Sequence, residues 1–514
     1  MFKSIQLTAG ALALAALAGC AVGPEYRRPE APLAAAYHTA GALAERTTTL
    51  PAPPLDTWWN GFDDADLRRI VGRVLEQNLD LAAALARVEQ ARAAAHLADA
   101  RRLPEGSASA SVLRQRQSVN SPVGKIASSF PGYEREQSIY DAGIGASWEL
   151  DVAGGLRRGA QAAGAAAEAA EADRLGVRVS VAAEAADAYF RVRGAQRRIG
   201  LAQEQIATNG RLLELVRLRV ADGLASSREA AQAEALVAQA RATVPPLRTE
   251  LALQLNRLDV LMGAAPGTYA AELSAPAVAQ GSGEPPAPAS GGAARVAAQG
   301  GAAGVPVSAT AAGGLTETRV PAIELAQGPA DLLRRRPDVI AAERRLAASN
   351  AQIGIAMAEY YPKLSLSALV GLSSLGSGGL LSAAALQPQA ALGLRWRLFD
   401  FGRIDADIAR AQGANAEALA LYRQAVLRAA EDVENAVATL TGLEAQHGEL
   451  AQEVDAHLRA RDASEDAYRG GAVGLYEVLE EQRQLLTARD QLARVNADNA
   501  RAAVATFRAA GGGW

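Results

Sequence analysis

The 514-residue sequence has little of what most enzymes, metalloproteins and nucleic-acid-binding proteins depend on. It contains one cysteine, Cys20, which has no second cysteine to pair with. Its four histidines are scattered, and His447 and His457 lie about 280° apart around a helix. The 52 basic and 56 acidic side chains give a net charge of −4, which offers no electrostatic basis for binding nucleic acid. We therefore expect no metal site, no cofactor and no nucleic-acid partner.

Aromatic residues and long apolar runs are also scarce. Aromatics make up 4% of the chain, whereas alanine and leucine dominate long stretches, a composition that favours closely packed helices. After the N-terminal leader there is no run of 18 or more apolar residues, so we expect no membrane-spanning helix.

The leader has the layout of a secretory signal, with one positive charge, an apolar stretch and small residues before Cys20. Its end, Leu17-Ala18-Gly19-Cys20, resembles a bacterial lipobox, which implies cleavage before Cys20 and acylation of that thiol. An ordinary signal peptide with an incidental cysteine is the alternative. Ala21 follows instead of aspartate, which by analogy with lipoprotein sorting favours the outer membrane.

Most of the remaining chain occurs twice. Leu81–Pro104 aligns with Val339–Pro362, at an offset of 258 residues (104 to 362). Trp148–Gly154 aligns with Trp396–Gly402, at an offset of 248 residues (154 to 402). A repeat of this length is more typical of a duplicated structural scaffold than of a catalytic site.

The repeat and the composition define five segments. We expect a signal peptide over 1–19, a lipidated, proline-rich extended tether over 20–60, a first repeat over 61–273 and a second over 321–514. The Ala, Gly, Pro and Ser residues between the repeats predict a low-complexity linker over 274–320, disordered up to about residue 314.

Each repeat contains two segments in which apolar and polar residues alternate with period two. They predict strands near 105–118 and 138–151 in the first repeat and near 362–373 and 388–399 in the second. Strands of about ten residues or more can cross a bilayer at the tilt of a barrel. Four strands cannot close a membrane barrel, whose smallest form has about eight, but three chains would supply twelve. A cyclic trimer is the simplest closure.

A helix of roughly 68 residues, on the order of 100 Å long, follows each predicted hairpin, over 155–222 and 403–470. In the second helix, apolar residues at 3-4-3-4 spacing from Leu419 through Ala436 to Leu443 predict a coiled-coil seam. Return helices are predicted over 227–263, with a kink at Pro245-Pro246, and from 475 to about 510.

A tight reversal ends each long helix, where glycine can adopt a positive φ. The residues of the two reversals are Gly223, Leu224, Ala225 and Ser226 in the first repeat and Gly471, Ala472, Val473 and Gly474 in the second.

Several motifs lie along the chain: Cys20-Ala-Val-Gly-Pro-Glu-Tyr-Arg-Arg-Pro29, Trp58-Trp59 with Phe62, Asn78-Leu-Asp-Leu81, Ala86 to Arg92, Leu332-Leu-Arg-Arg-Arg-Pro-Asp-Val339, Trp396 to Arg403 and Gly511-Gly-Gly-Trp514. Together these motifs resemble those of the TolC-like outer membrane factor family, specifically its NodT-type efflux lipoproteins. They span nearly the whole chain in the family's order. This sequence departs from the family's pattern in the 274–314 segment, which is longer than expected between the two halves.

The resemblance implies a mixed α and transmembrane β fold, a homotrimer in which a coiled-coil α-helical barrel is continuous with a 12-stranded β-barrel in the outer membrane. It implies a passive outlet duct for drugs or other small molecules, without enzymatic activity. A periplasmic adaptor and an inner-membrane transporter of the resistance-nodulation-division type would complete the pump.

The resemblance also implies two functional regions near the helix ends. The two reversals would contact the adaptor; plain turns are the alternative. The candidates for a periplasmic gate are Asp455, Arg459, Asp462, Glu465 and Asp466. They could form an acidic ring in a trimer, an ion pair between subunits that also involves Arg461, or merely a solvated helix face.

Two other classes of protein compete with this interpretation. A periplasmic adaptor lipoprotein also has a lipobox and a coiled-coil hairpin, but it has one hairpin flanked by β-rich domains, whereas this sequence predicts two. A tethered cell-wall hydrolase would need a catalytic constellation, and no Ser/His/Asp, Cys/His or metal-ligand group stands out.

Overall fold

The computed structural model describes residues 21–30, 33–46, 48, 50–274, 318–325 and 328–514. The predicted signal peptide, Cys20 and nearly all of the predicted linker therefore lie outside the described residues. Most of the described chain is helical, and its strands form a single four-stranded sheet. Among the helices in these ranges, none combines the length and the apolar composition needed to cross a membrane.

The main elements follow one another in the order expected for a duplicated chain. They are α1 (Ala40–Ala44), a 3-10 helix (Leu55–Phe62), α2 (Ala65–Gln77), α3 (Leu79–Ala100), β1 (Glu105–Arg116), α4 (Pro122–Ala127), β2 (Glu136–Leu150), α5 (Gly155–Ala221), α6 (Ser227–Ala242), α7 (Val244–Leu261), α8 (Ala270–Ser274), α9 (Leu332–Arg335), α10 (Pro337–Ala358), β3 (Lys363–Ser374), β4 (Leu386–Arg395), α11 (Arg403–Arg469) and α12 (Leu475–Ala509). Short 3-10 turns lie at Pro329–Asp331, Ser377–Gly379 and Ala383–Ala385.

Local sequence signals account for the ends of the shorter helices. The Asp64 carboxylate accepts hydrogen bonds from Asp66 N and Leu67 N at the start of α2. Asp63, the residue before this cap, has φ +50°. Pro337 opens α10, where its missing N–H costs nothing.

The four strands form an antiparallel meander in the order β1-β2-β3-β4. The predicted extension of the fourth strand to residue 399 is wrong, since β4 ends at Arg395. Arg395 pairs with Lys363, the first residue of β3, and Pro362 before it has no N–H with which to continue the ladder. β1 likewise ends at Arg116, two residues short of the predicted 118, where β2 begins opposite it at Glu136.

Both long helices contain 67 residues, ending one residue before the predicted bounds. Tyr422, Val426 and Val433 of the predicted seam are buried along α11. At the next step the buried residue is Val437, not Ala436 as predicted. The larger valine side chain removes more apolar area from water, and a spacing of four residues is as compatible with a helical face as three.

The described chain divides into two compact units that cut across the sequence repeats. One unit comprises the described residues of Met1–Pro32 with Leu85–Asp173 and Asp338–Val426, and contains the sheet. The second unit comprises the described residues of Leu33–Ala84 and Arg174–Pro337 together with Leu427–Trp514, and it contains both helix reversals. Each unit therefore takes residues from both repeats.

An aromatic cluster forms the core of the second unit. Trp58 stacks on Phe507 with ring centroids 5.4 Å apart, and Phe62 contacts Phe190 at 5.0 Å. The C-terminal glycines pass beside this cluster, where Gly513 N donates to Leu55 O at 2.7 Å. A Cβ on Gly512 would lie 2.8 Å from the same carbonyl oxygen, so only glycine fits.

Candidate functional site

The register of the strands separates the sheet into an apolar and a polar face. Across the four strands, one row on the apolar face consists of Ala108, Ile144, Val370 and Pro388, and a neighbouring row on the opposite face consists of Ser109, Gly143, Gly371 and Gln387. The large side chains of the apolar face are exposed, including Ile144 at 69% and Leu392 at 69%. A sheet with one exposed apolar face marks a surface that contacts lipid or another protein.

The polar face consists mainly of small and polar residues, although Leu113 and Leu369 also lie on it. A Cβ on Gly143 would lie 3.0 Å from the Cα of Gly371, so glycine permits the close approach of β2 and β3 here. Ser107, Ser109 and Ser111 of β1 continue the same face. Such a surface of hydroxyl, amide and backbone groups suits contact with water.

Two tryptophans occupy equivalent positions where the helices meet the sheet. Trp148 Nε1 donates to Arg102 O at 2.9 Å, and Trp396 Nε1 donates to Tyr360 O at 3.0 Å. Each accepting carbonyl lies two residues before the proline that precedes a strand. The repeat aligns the two tryptophans, but their hydrogen bonds were not predicted from the sequence.

The segment directly after Cys20, residues 21–26, packs against α5 and α10 within the unit that contains the sheet. Arg158, which is 2% exposed, donates to Val22 O at 3.1 Å, Gly23 O at 3.2 Å and the Glu25 carboxylate at 2.7 Å. This hydrogen bond and the positive charge of Arg158 lower the pKa of Glu25. The predicted lipid attachment at Cys20 lies outside the described residues, but the chain next to it has a defined position.

A second set of contacts holds the same segment. The Tyr26 hydroxyl donates to the Glu343 carboxylate, and Asn350 Nδ2 donates to Pro24 O at 3.0 Å. Burial, followed by the hydrogen bond to Glu343, raises the pKa of Tyr26, so the phenol stays protonated. The hydrophobic periodicity of the sequence could not predict these contacts. They join residues 22–26 to Arg158 in the first repeat and to Glu343 in the second, which lie far away along the chain.

Both predicted reversals have the same backbone geometry. Gly223 has φ +71° and Gly471 has φ +73°. Leu224 N donates to Arg219 O at 2.7 Å and Ala472 N donates to Ala467 O at 2.9 Å, the long hydrogen bond that closes a helix at a glycine. No atom lies within 4 Å of an ideal Cβ at either glycine, so the backbone conformation alone requires it.

The two reversals differ in the residue that opens the return helix. Ser226 Oγ accepts from Glu229 N at 3.3 Å while Ser226 N donates to the Glu229 carboxylate at 2.6 Å, which forms a capping box. The hydrogen bond from Ser226 N, and a second one that Ser226 Oγ donates to the same carboxylate at 2.9 Å, lower the pKa of Glu229. Gly474, at the equivalent position, provides no side-chain cap for α12.

An apolar cluster joins the ends of the two hairpins inside the second unit. Its buried members are Val216, Ala233, Leu236, Tyr468, Leu475, Val478 and Leu479. The Arg219 guanidinium lies over the Tyr468 ring, 4.7 Å from its centroid. Tyr468 was not predicted from the sequence, although it stands three residues before Gly471.

The predicted gate residues fall into two groups on α11. Glu465 and Asp466 both pair with Arg469, at 3.3 and 2.8 Å, and Glu465 also accepts from Gln482 Nε2 at 3.1 Å. Asp462 accepts from the neighbouring Arg461 at 2.9 Å.

Asp455 and Arg459 form the second group. Both are exposed, and neither makes an ion pair with any residue that the structure describes. These two side chains are therefore available to another molecule.

One further polar contact lies near the gate candidates. His457 Nδ1 lies 3.1 Å from the Glu481 carboxylate of α12. In the ranges that the structure covers, no three His, Cys, Asp or Glu side chains are grouped as a metal site.

The comparisons with known proteins agree with this geometry. A profile of the family described as "Outer membrane efflux protein" matches residues 70–264 and 328–512. The chain is 31% identical over 479 residues to the pyoverdine export outer membrane protein OpmQ of Pseudomonas putida, covering 92% of each chain. It is 29% identical to nodulation protein T of Rhizobium leguminosarum bv. trifolii, covering 93% of this chain and 91% of the relative. Its structure is similar to that of the outer-membrane channel OprN, with a TM-score of 0.78, 30% identity and coverage of 96% and 100%.

Proposed function

Since this chain belongs to the outer membrane efflux protein family, we propose that it is the outer-membrane outlet channel of a tripartite efflux pump, a passive duct for drugs or other small molecules. The observation that carries the proposal is the four-stranded sheet with one exposed apolar face. On this proposal, lipid covers the apolar face and the serine, glycine and glutamine face lines water.

The edges of the sheet support a homotrimer. In the part of the chain that the structure describes, β1 and β4 each have a partner on one side only. Open strand edges are not tolerated in lipid, so further copies must pair with them. Three copies of four strands give a closed barrel of twelve.

The proposed channel would also be attached to the membrane by a lipid, would bind partner proteins and would close at a gate. Acylation of Cys20 would anchor the chain in the outer membrane, because the attached lipid inserts into the bilayer. The contacts of Arg158 with residues 22, 23 and 25 would fix the chain directly after the anchor. The reversals at Gly223 and Gly471 would contact a periplasmic adaptor, which in turn binds an inner-membrane RND-type transporter. The gate would close near Asp455 and Arg459. The comparisons do not favour an adaptor, because the relatives are outer membrane proteins matched over both halves of the chain.

Two substitutions on opposite faces of one strand test the proposal. Val370→Arg places a charge on the apolar face, where a cation at the bilayer midplane costs about 2–4 kcal/mol. We expect this variant to assemble poorly in the outer membrane. Ser367→Arg, on the polar face of the same strand, is the matched control, and we expect it to assemble and to change only the conductance.

The purified wild-type protein provides the decisive measurement. We expect a detergent-extracted trimer by native mass spectrometry that conducts poorly in planar bilayers, because its periplasmic end is closed at rest. A monomer that is soluble without detergent after removal of residues 1–20 would contradict the proposal.

A further inference from the structure

Two arginines continue the apolar face of the sheet at the end that lies away from the long helices. On β1, Ala108, Ala110 and Val112 lie on the apolar face, and Val112 is 70% exposed. Arg114 and Arg116 follow at the same spacing of two residues, with side chains that are 79% and 67% exposed. The apolar surface therefore passes directly into a cationic one on the same face.

These two cations are only partly neutralised within the chain. The two oxygens of Glu136, on the facing strand β2, each lie 3.8 Å from one of the guanidinium groups, a long distance for an ion pair. Among the residues that the structure describes, no other carboxylate pairs with either arginine. The loop between β1 and β2 contains Lys125, Glu134 and Arg135 as its charged residues, a net charge of +1. The site thus keeps a surplus of positive charge.

A further copy of this chain would not supply the missing negative charge. β1 is at one edge of the described sheet, and in the proposed trimer the strand that pairs with it is β4 of another copy. The corresponding end of the second hairpin, residues 371–388, contains no charged side chain. The surplus charge of Arg114 and Arg116 is therefore available to a group outside the trimer.

The position of the arginines along β1 matches the outer boundary of a membrane. Arg116 lies ten residues beyond Gly106 (106 to 116), which is the first β1 residue on the apolar face. Ten residues span about 33 Å along a strand, which at a tilt of about 40° gives a height of about 25 Å. The apolar band of an outer-membrane barrel is also about 25 Å tall. β1 begins after α3 and β2 leads into α5, so the helices adjoin the opposite end of the sheet.

We propose that Arg114 and Arg116 bind a phosphate of a phosphorylated glycolipid in the outer leaflet of the outer membrane, whose acyl chains lie along the apolar face beside Val112. This inference rests on the proposed function, in which the helices are periplasmic and the opposite end of the sheet faces the outside of the cell. A guanidinium group directs two N–H donors at the oxygens of one phosphate, and such charge-assisted hydrogen bonds are short and strong. The phospholipids of the inner leaflet would instead meet the helix-proximal end of the sheet.

Native mass spectrometry of the full-length protein in detergent tests this site. The probes, each titrated onto the protein, are bisphosphorylated lipid A, the same lipid after removal of its phosphates, and phosphatidylglycerol. The double variant Arg114→Gln/Arg116→Gln removes both positive charges. The matched control is Lys363→Gln/Arg395→Gln, which removes a cross-strand pair of cations from the helix-proximal end and the polar face of the same sheet.

We expect the wild type and the control variant to bind bisphosphorylated lipid A equally, and the Arg114/Arg116 variant to bind it about tenfold more weakly, because charge-assisted hydrogen bonds are lost. Glu136→Gln should tighten binding about threefold, since it removes the competing carboxylate. If the arginines served only to pair with Glu136, this variant would bind no more tightly than the wild type, and the proposal would be wrong.

Equal binding of bisphosphorylated lipid A by the Arg114/Arg116 variant and the wild type would overturn the site. So would equal binding of phosphorylated and dephosphorylated lipid A by the wild type, a comparison that needs no variant to assemble. Equal binding of phosphatidylglycerol would overturn the assignment to a glycolipid. A wild-type protein that is monomeric and soluble without detergent would instead overturn the proposed function.

Discussion

Single glycines determine where the long helices end. Because no atom lies near an ideal Cβ at Gly223 or Gly471, a substitution there costs only the backbone strain of a positive φ. We expect Gly223→Ala to destabilise the reversal by about 1–2 kcal/mol. Gly223→Val and Gly471→Val should impair efflux without loss of the trimer, as measured by drug susceptibility in a strain that depends on this pump.

Gly210 provides the matched control for this prediction. It lies within α5, also has open space around an ideal Cβ, and has no positive φ. Gly210→Ala should stabilise the helix by about 0.5–1 kcal/mol and leave efflux unchanged. Unaltered drug susceptibility in the Gly223 and Gly471 variants would contradict the proposal that the reversals contact the adaptor.

The capping residues predict that the two reversals differ in stability. Ser226→Ala removes the capping box and should cost about 1 kcal/mol at the start of α6. Gly474→Ser, with Glu477 three residues later, should create a capping box and gain a few tenths of a kcal/mol. Amide hydrogen exchange of residues 227–230 and 475–478 measures both changes, and equal protection in variant and wild type would contradict the prediction.

The same capping box predicts a pH dependence. Its hydrogen bonds lower the pKa of Glu229 in the folded state, so the box stabilises the turn at pH values above the ordinary carboxyl range. This contribution is lost as the pH falls through the lowered pKa. Protection in the first turn of α6 should therefore fall in acid more than protection in the first turn of α12.

At the scale of whole elements, Trp148 in β2 and Trp396 just after β4 each donate to a carbonyl in the turn between a helix and the neighbouring strand. Trp396→Phe keeps an aromatic ring but removes the indole N–H and with it the hydrogen bond to Tyr360 O. Because Trp396 is about half exposed, water can replace part of this bond, and we expect a loss near 0.5 kcal/mol. The thermal midpoint of the purified protein in detergent measures the loss. Trp148→Phe should match it, and a change above about 2 kcal/mol in either variant would indicate a packing role instead.

Element positions were more predictable from the sequence than element ends and contacts. Period-two alternation identified all four strands, since exposed and apolar sides must alternate in a pleated sheet. The end of β4 at Arg395 depends on Pro362, which precedes the neighbouring strand β3, and the cap at Asp64 depends on local backbone angles that the sequence leaves open. The contacts of Arg158 with residues 22–25 join distant parts of the chain, and no local pattern encodes them.

The complete assembly is the level at which the gate can be tested, because closure would need several copies of the chain. Glu465 and Asp466 already pair with Arg469 within one chain, whereas Asp455 and Arg459 have no ion-pair partner among the described residues. We therefore expect Asp455 of one subunit to pair with Arg459 of another when the channel is closed. Such a pair would stabilise the closed state and would weaken at high salt.

A charge exchange distinguishes this ion pair from the two other interpretations of the same residues. Asp455→Arg and Arg459→Asp should each raise the conductance of single channels in planar bilayers, because each places like charges together. The double variant should restore the closed state, since it restores the pairing. Asp407→Asn, whose partner Arg410 lies on the same helix at 3.3 Å, should leave the conductance unchanged. If an acidic ring forms the gate, only the variants that remove Asp455 will respond and the exchange will not restore closure; if the face is merely solvated, none of the variants will respond.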